Sequence, residues 1–539
     1  MHRRQVKKPM SKQSIFKRLW NWWDRDRRIL TLKAGLMALL PLLCCIAACA
    51  AQGGNLSRVY LPSSEWNDEL FYYKQVEGIL SHGYPQGYFG FNESHAMKLS
   101  FAAWSPVLVW PWLLHGLLFG WNLMSPVYSN ILLLTLALLL FVLLVKPSWK
   151  QLGLTALLFC CFWPYTRYML CGMPEIICFS MLIVYWGLLV NTVEKETGSK
   201  VALLFLMGGV MTLMRPYLIL FMLAPAYLWI RRRGGIGIAG SLAVLGVTAG
   251  GYVLIKHYLG AEYFTPLFKT EWLDPFLQGR ILGGVKGILA KLYYEGRTFF
   301  ALTLQGLKSG LAEGAFFALY LAILLILLWQ CLTDLLKKRK KQALLNGYLA
   351  FCFFSMWMAL LLMYKMKEGS KHLLTFMAVG ILVIAMLETR FYKKAMVMAA
   401  LCVYLFWYRG DQPGDYQVYF ASQERVEQMA HWQEVFEREL SLREENTPNF
   451  DNVVIWTFND ILAGSENGET VLTDWQVLYA LPEGWGISCC YREYVEEHLE
   501  ELQSLYLAIP EGGQLQESCE ALGMEQVGRD GRVCVYRTR

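Results

Sequence analysis

The sequence predicts an α-helical protein that crosses a membrane many times and ends in a small α/β domain. Of its 539 residues, 55% are hydrophobic, and the mean hydropathy of +0.32 exceeds that of ordinary soluble domains. Runs such as "ILLLTLALLLFVLLV" approach the length that a helix needs to cross about 30 Å of hydrocarbon. Beyond residue 409 such runs stop, so we place the end of the membrane part there.

The first 28 residues form a basic segment that we predict to be a cytoplasmic tail. They hold ten lysines and arginines, whereas no lysine follows Lys394, and the formal net charge of the chain is +7. Nucleic-acid binding is the alternative for such a start. The cytoplasmic flank of a membrane anchor explains it, so we expect no nucleic-acid partner.

About eleven membrane spans are predicted between residues 29 and 409, which form the membrane core. With the N-terminus inside, the loops "KPSWK", "EKETGSK", "RRRGG", "KKRKK" and "ETRFYKK" all fall on the cytoplasmic side, as the positive-inside rule requires. We therefore expect a multi-pass plasma-membrane protein whose C-terminal domain is external. The predicted spans lie near residues 29–51, 126–145, 151–170, 174–191, 201–214, 216–230, 236–257, 311–333, 345–364, 372–387 and 393–409.

The first external loop, residues 52–125, contains an apolar segment that we predict not to cross. Residues 101–121 hold Pro106 and Pro111, which weaken a straight helix, and tryptophans suited to the headgroup level. Counting this segment as a span would put the loops "RRRGG" and "KKRKK" outside. We expect a helix that lies on or dips into the outer leaflet.

Two further parts are predicted to be external. Residues 258–310 mix lysine and arginine with leucine, isoleucine and tyrosine, which predicts short amphipathic helices on the bilayer surface. Residues 410–539 combine an amphipathic helical segment with short runs such as "NVVIWTF" and "VCVYRTR", which predicts the α/β domain. No catalytic triad or metal-ligand spacing is visible in that domain.

Polar residues that are costly near a bilayer gather on the predicted external side. Asp68 and Glu69 follow the first span, and Arg167, Glu175 and Arg215 stand at the ends of later spans. Charged side chains at such positions face protein, a cavity or lipid headgroups. Their common side of the membrane predicts a functional site there.

Four stretches resemble motifs of the GT-C superfamily of polytopic glycosyltransferases, particularly the family 39-like bacterial relatives of protein O-mannosyltransferases and aminoarabinose transferases. "NDELFYY" is similar to the acidic motif after their first span, and "WSPVLVWPWLLHGLLFGW" to their juxtamembrane helix. "LMRPYLILFMLAPAYLW" resembles their Arg-Pro span, and "EGSKHLLTF" the start of a late span. Two positions depart from the pattern: Lys98 is displaced from the usual proline pair, and Thr375 replaces a proline.

The resemblance covers roughly residues 29–410 and implies a GT-C-like fold and a hexosyl- or pentosyltransferase of the bacterial cell envelope. Such an enzyme moves a sugar from a polyprenyl-phosphate donor, with inversion, to an external acceptor. The acceptor would be a glycan, a lipid or a protein.

Asp68 and Glu69 are the predicted catalytic residues, because they match the acidic motif. An inverting displacement needs a carboxylate that takes the proton of the acceptor hydroxyl, whereas a phosphate departs without protonation. We expect Asp68 to be this base and Glu69 to orient it or to bind a hydroxyl. The pair is also a good helix start, and the two roles are compatible.

Cations at the external face are the predicted ligands of the donor phosphate. Arg215 interrupts an apolar stretch just before Pro216, where the helix breaks. Lys371 and His372 match the motif "EGSKHLLTF", and Arg167 lies on the same side. A snorkelling arginine and a solvated turn are the alternatives for Arg215 and for the Lys371–His372 pair.

The remaining site predictions concern the substrate and a metal ion. A divalent cation, Mg or Mn, is compatible with the external loops but not required, and His95 is its candidate ligand. Substrate contacts are expected from Tyr72, Tyr88, Glu93, Trp104 and Glu175.

Three other classes of membrane protein are the alternatives. A flippase-type transporter of lipid-linked sugars needs charged residues near mid-bilayer, whereas here they gather at one face. A lipid-linked glycan polymerase or ligase usually carries its main external loop late in the chain. The third is a membrane sensor that is not an enzyme.

Overall fold

The computed structural model describes most of the membrane core and most of the C-terminal domain. The described residues are 25–59, 68–83, 89–93, 105–260, 271–309, 312–363, 370–387, 396–397, 418, 420, 422–440, 453–458, 476–482 and 485–539.

Helices fill the membrane part, and every predicted span up to residue 387 coincides with helical structure. Six of the described helices are long and apolar enough to cross a membrane. The predicted span at 393–409 lies outside the described residues, apart from 396–397. The helices of this part are α1 (Arg25–Ala51), α2 (Asp68–His82), α3 (Trp110–Phe119), α4 (Ser125–Val145), α5 (Trp149–Cys161), α6 (Trp163–Met169), α7 (Glu175–Glu194), α8 (Gly198–Met214), α9 (Leu223–Arg233), α10 (Gly235–Leu259), α11 (Asp274–Leu277), α12 (Ile281–Ser309), α13 (Ala312–Leu336), α14 (Lys340–Met363) and α15 (Ser370–Met386).

Helix α7 lies at the centre of this bundle. It packs against α4, α8 and α15, and α4 in turn packs against α1. In its most apolar 18-residue window, 72% of the residues of α7 are buried, compared with 11% for α10. Helix α10 therefore presents most of its surface to the outside, where a bilayer would surround it, while α7 carries its first residue, Glu175, into the interior.

Two of the predicted spans are interrupted by proline. The predicted span 151–170 divides at Phe162 into α5 and α6, because Pro164 has no N–H to continue the ladder of α5. The predicted spans 201–214 and 216–230 meet at Arg215, after which a 3₁₀ turn, Pro216–Met222, leads into α9. The break at Arg215 lies at the same end of the bundle as the start of α7, since Arg215 pairs with Glu175.

The two segments predicted to be external also form helices. A 3₁₀ turn, Pro106–Val109, and α3 make the short apolar helix predicted within 101–121. Gly116 allows α3 to touch α2, since a Cβ atom there would lie 2.5 Å from a methyl carbon of Leu80. The second segment differs from the prediction of short helices, because α12 is a single helix of 29 residues.

The C-terminal domain is built on a six-stranded sheet in the order β1-β3-β2-β4-β6-β5. The first four strands of this order run parallel, and β6 pairs antiparallel with its two neighbours, β4 and β5. Its elements are β1 (Phe89–Phe91), α16 (Gln423–Leu440), β2 (Val453–Phe458), α17 (Gln476–Tyr479), β3 (Gly486–Tyr491), α18 (Arg492–His498), β4 (Tyr506–Pro510), α19 (Gln514–Ala521), β5 (Glu525–Arg529) and β6 (Val533–Arg537).

The edge strand β1 belongs to the first external loop and not to the C-terminal part of the chain. It pairs in parallel with β3, with Phe89 opposite Ile487 and Phe91 opposite Cys489. Helix α2 joins the same domain, since Leu70 and Phe71 pack in one apolar cluster with residues of α16, β2 and β3. The domain is thus completed by residues that precede it by about 400 positions.

Helix α2 is shared between the membrane core and the C-terminal domain. Tyr72 and Val76 lie in the apolar cluster of the membrane core, whereas Leu70 and Tyr73 lie in that of the domain. The buried Lys74 amine donates to the Leu481 carbonyl of the domain at 2.7 Å. The position of α2 therefore depends on both parts of the molecule.

The turn between β5 and β6 is held by the carboxylate of Asp530. One oxygen accepts hydrogen bonds from Gln428 Nε2 and Trp432 Nε1, and the other from the backbone N–H groups of Arg532 and Val533. Burial raises the pKa of Asp530, but these four bonds outweigh it and hold the pKa below the usual 3.8.

Candidate active site

Charged residues at three chain breaks form one buried cluster at the end of the bundle. The breaks are the start of α2, the turn between α6 and α7, and the interruption at Arg215. Helix ends leave backbone groups without intrahelical partners, so polar side chains are stabilised there. We call the cluster formed by Glu69, Arg167, Glu175 and Arg215 the charge cluster.

Arg215 and Glu175 form the central ion pair of the charge cluster. Arg215 Nη2 donates to Glu175 Oε1 at 2.6 Å, and the side chains are 1% and 0% exposed. Within the described part of the chain, Glu175 Oε2 has no hydrogen-bond partner. A carboxylate buried in this way is stabilised mainly by the guanidinium, so the two residues form a unit.

The backbone break fixes the direction of the Arg215 side chain. Pro216 ends α8, and Arg215 takes an extended conformation with φ −145° and ψ 119°. Its N–H still closes the last turn of α8 on Met211 O at 2.9 Å, while its carbonyl accepts from Leu218 N at 3.0 Å. Arg215 is thereby a rigid link between two helical segments.

Aromatic residues line one side of the ion pair. Arg215 Nη1 donates to the Tyr217 hydroxyl at 3.0 Å. The ring of Tyr217 meets that of His372 edge to face, with 5.8 Å between centroids, and His372 is 2% exposed. Tyr72, on α2, lies within electrostatic range of Arg215. The predicted residues Tyr72, Arg215 and His372 therefore belong to one site.

Glu69 and Arg167 extend the charge cluster on the other side. Both are fully buried, and both lie, with Glu175, within electrostatic range of the Cys171 thiol. A Cβ atom on Gly172 would lie 3.2 Å from Glu69 Cβ, so the absence of a side chain lets the α6–α7 turn approach α2. The two arginines and two glutamates of the charge cluster therefore give it no net charge when all four are ionised.

Asn130 holds this turn in place, although it is not among the predicted site residues. Its amide nitrogen donates to the carbonyls of Tyr168 at 3.2 Å and Cys171 at 3.0 Å, and its oxygen accepts from Trp112 Nε1 at 3.0 Å. A fully buried asparagine in an apolar helix costs free energy unless it is bonded, and here both ends are bonded. Such a signal, a lone amide in α4, could have been noticed.

Gln75 is a second polar residue that sequence reasoning missed. It is 3% exposed, and neither amide atom has a hydrogen-bond partner in the described part of the chain. Helical spacing puts position 75 on the same side of α2 as positions 68 and 72. An unsatisfied buried amide is costly, which makes Gln75 a candidate for binding a polar ligand.

Glu93 is not brought into the charge cluster. Its carboxylate accepts from the backbone N–H groups of Gln503 at 2.8 Å and Ser504 at 2.6 Å, and from the Tyr494 hydroxyl at 3.3 Å. Burial and then the Glu93 carboxylate raise the pKa of Tyr494 to about 12. These contacts attach the first external loop to the C-terminal domain, and substrate binding by Glu93 stays a prediction that they do not support.

Several predicted site residues cannot be compared with the structure. Asp68 and Lys371 are the first and second residues of α2 and α15, and only their backbone is described. Tyr88, His95 and Trp104 lie outside the described residues. Among the residues that are described, no three His, Cys, Asp or Glu side chains form a group that could hold a metal ion.

Two kinds of solved structure resemble the chain over most of its length. The oligosaccharyltransferase of Archaeoglobus fulgidus, in complex with Zn and sulfate, is 14% identical, with 89% of this chain and 68% of that chain covered and a TM-score of 0.49. ArnT from Cupriavidus metallidurans, bound to undecaprenyl phosphate, is 9% identical over 94% of this chain and 97% of that chain, with a TM-score of 0.39. No family model and no curated protein matches the chain.

These identities and TM-scores are too low to assign an activity to the chain, so the activity is inferred from the charge cluster and its neighbours.

Proposed function

We propose that the protein is an inverting membrane glycosyltransferase that moves a sugar from a polyprenyl-phosphate donor to an external acceptor. The observation that carries the proposal is the buried charge cluster at the end of an apolar helical bundle. Arginine pairs with phosphate through a planar fork of donors, and the membrane beside the cluster suits a prenyl chain. A lipid phosphate that bears a sugar combines these two properties.

The charge cluster is closed to solvent, and this determines how a donor would bind. Arg215 and Glu175 are at most 1% exposed, so a phosphate reaches Arg215 only if the contact between them opens. The donor phosphate then takes over the role of the Glu175 carboxylate. Arg167, Lys371 and His372 are the further proposed cations at this end of the bundle.

In the proposed reaction, Asp68 takes the proton of the acceptor hydroxyl while that oxygen attacks the anomeric carbon of the donor sugar. The bond between the anomeric carbon and the phosphate oxygen breaks, and the phosphate keeps the electron pair. Arg215 and its neighbours stabilise the charge that develops on this oxygen. The role of Asp68 rests on its motif and on its place at the start of α2, beside Glu69.

Glu69, Tyr72 and Gln75 are the proposed contacts of the sugar on α2. Tyr72 offers an aromatic face beside Arg215, and Gln75 offers an amide that a sugar hydroxyl would satisfy. The C-terminal domain packs on the opposite side of the same helix, so we assign it the positioning of the acceptor.

No step is assigned to a metal ion. The described residues offer no set of ligands, and Glu175 is already paired with Arg215. Mg or Mn bound through His95 stays a prediction about residues outside the described part.

The experiment is transfer by the purified protein from radiolabelled polyprenyl-phosphate sugars, with nucleotide sugars as the comparison. Transfer from the lipid donor is expected. The double variant Arg215→Gln/Glu175→Gln removes both charges together, so it should fold and yet lose transfer. Transfer from nucleotide sugars alone, or undiminished transfer by the double variant, would contradict the proposal.

A further inference from the structure

An apolar slot lies at the other end of the bundle from the charge cluster. It is a cavity of about 410 Å³ between the last turns of α7, the first half of α9 and the first half of α14. This is the end that carries the lysine- and arginine-rich loops, which the positive-inside rule assigns to the cytoplasm. The residues that line the slot include Leu189, Val193, Leu223, Tyr227, Leu344 and Phe351.

The wall of the slot is apolar and open to the outside of the bundle. Its polar atom on α14, the Tyr348 hydroxyl, is engaged as donor to Leu220 O at 2.8 Å. The ring of Tyr348, which lines the slot, stacks on the ring of Trp186. At the mouth, Tyr227 is 47% and Phe351 49% exposed, so the slot opens where lipid would surround the bundle.

Basic side chains lie one helical turn beyond the apolar lining, on α9 and on α14. Arg231 and Arg232 follow Tyr227 and Leu228 by four residues on α9, and Lys340 precedes Leu344 by four on α14. Arg231 is paired with Glu196. In the described part of the chain, neither Arg232 nor Lys340 has an ion pair, and both are exposed.

We propose that this slot binds an anionic phospholipid of the cytoplasmic leaflet. An acyl chain fills the apolar cavity, and the headgroup phosphate lies between Arg232 and Lys340. The volume falls in the range of small-molecule sites, and a basic rim above an apolar cavity complements a lipid with a charged head. The bound lipid would link α9, which continues from Arg215, to α14.

The test is native mass spectrometry of the full-length protein in detergent, with phosphatidylglycerol or phosphatidylcholine added. Retention of phosphatidylglycerol in preference to phosphatidylcholine is expected. Arg232→Gln/Lys340→Gln should weaken phosphatidylglycerol binding by about 30-fold, the loss estimated for two cations at a membrane surface. Leu344→Trp should fill the mouth of the slot and weaken the binding of both lipids. If that variant misfolds, Tyr227→Trp is the replacement variant.

The matched control is Lys286→Gln/Lys291→Gln, which removes two charges from α12, away from the slot. It should keep the preference of the wild type. An equal loss in the control would overturn the proposal, because the preference would then be a general effect of surface charge. Unchanged binding in the filled variants, or displacement of phosphatidylglycerol by equimolar polyprenyl phosphate, would overturn it as well.

Discussion

The ion pair of Arg215 and Glu175 allows two roles for Glu175, and they predict opposite changes in the affinity for polyprenyl phosphate when Glu175 is replaced. If Glu175 neutralises Arg215 until a donor arrives, Glu175→Gln should tighten the binding of polyprenyl phosphate. If Glu175 binds the substrate directly, as the sequence alone predicts, the same change should weaken it. We expect tighter binding, because the contact in the structure is made to Arg215 at 2.6 Å.

The magnitude follows from the burial of the pair. Both side chains are at most 1% exposed, so water does little to screen the charge that remains. Removing one partner of a buried pair costs about 3–5 kcal/mol. A phosphate that recovers about 2 kcal/mol of this cost would bind with a roughly 30-fold lower Kd.

Thermal unfolding with and without added polyprenyl phosphate measures both effects. Without ligand, Glu175→Gln should melt below the wild type, and the ligand should raise its Tm by more than it raises that of the wild type. Glu77→Gln is the matched control, since Glu77 pairs with Lys74 at 2.8 Å outside the charge cluster. A ligand-induced rise in Glu175→Gln that is smaller than in the wild type, with a normal rise in Glu77→Gln, would refute this reasoning.

Four further predictions test the base, the C-terminal domain and the topology. Asp68→Asn keeps a helix-capping residue but removes the proton acceptor, so the rate of transfer should fall by roughly 10²–10⁴-fold with normal expression. Glu69→Gln should lower the rate less. Full activity of Asp68→Asn would mean that the acidic pair only starts the helix. Glu93→Ala leaves the buried N–H of Ser504 unbonded, at about 1–3 kcal/mol, and also frees the part-buried N–H of Gln503. Hydrogen exchange of residues 503–504 should therefore rise, and Glu93→Gln should have a smaller effect. The stability that ionised Asp530 adds is fully present above its unfolded pKa near 3.8 and is lost as the pH falls through the lower pKa of the folded state. Asp530→Asn should therefore remove this acid dependence from the hydrogen exchange of residues 525–537. A cysteine at Lys150 should be protected from an impermeant reagent applied outside, and labelling there would contradict the predicted number of crossings.

Much of the helical core could be predicted from the sequence because its signals are local. A run of apolar residues fixes a helix, and Pro216 fixes the break at Arg215. The motif "NDELFYY" likewise located α2. The division of the predicted span 151–170 was missed, because its apolar residues continue across Phe162 and hide the effect of Pro164.

The pairing of residues could not be predicted, because it depends on packing between distant parts of the chain. Arg215 and Glu175 were both expected at the site, yet nothing local indicates that they bind each other across 40 positions. Glu93 was expected among the substrate contacts. Its partners, Gln503 and Ser504, lie about 410 positions away, and only the folded sheet brings them together.

The edge strand β1 also sets an order of assembly for the protein. Phe91 pairs with Cys489, 398 positions later, so at a synthesis rate of roughly 5–20 residues per second the strand waits about 20–80 s for its partner. During that time α2 lacks the apolar surface of the C-terminal domain on which Leu70 and Phe71 pack. A chain that stops before β3 would therefore insert into the membrane with its acidic helix only half supported. The support of α2 is therefore completed only once β3 has been made, late in synthesis.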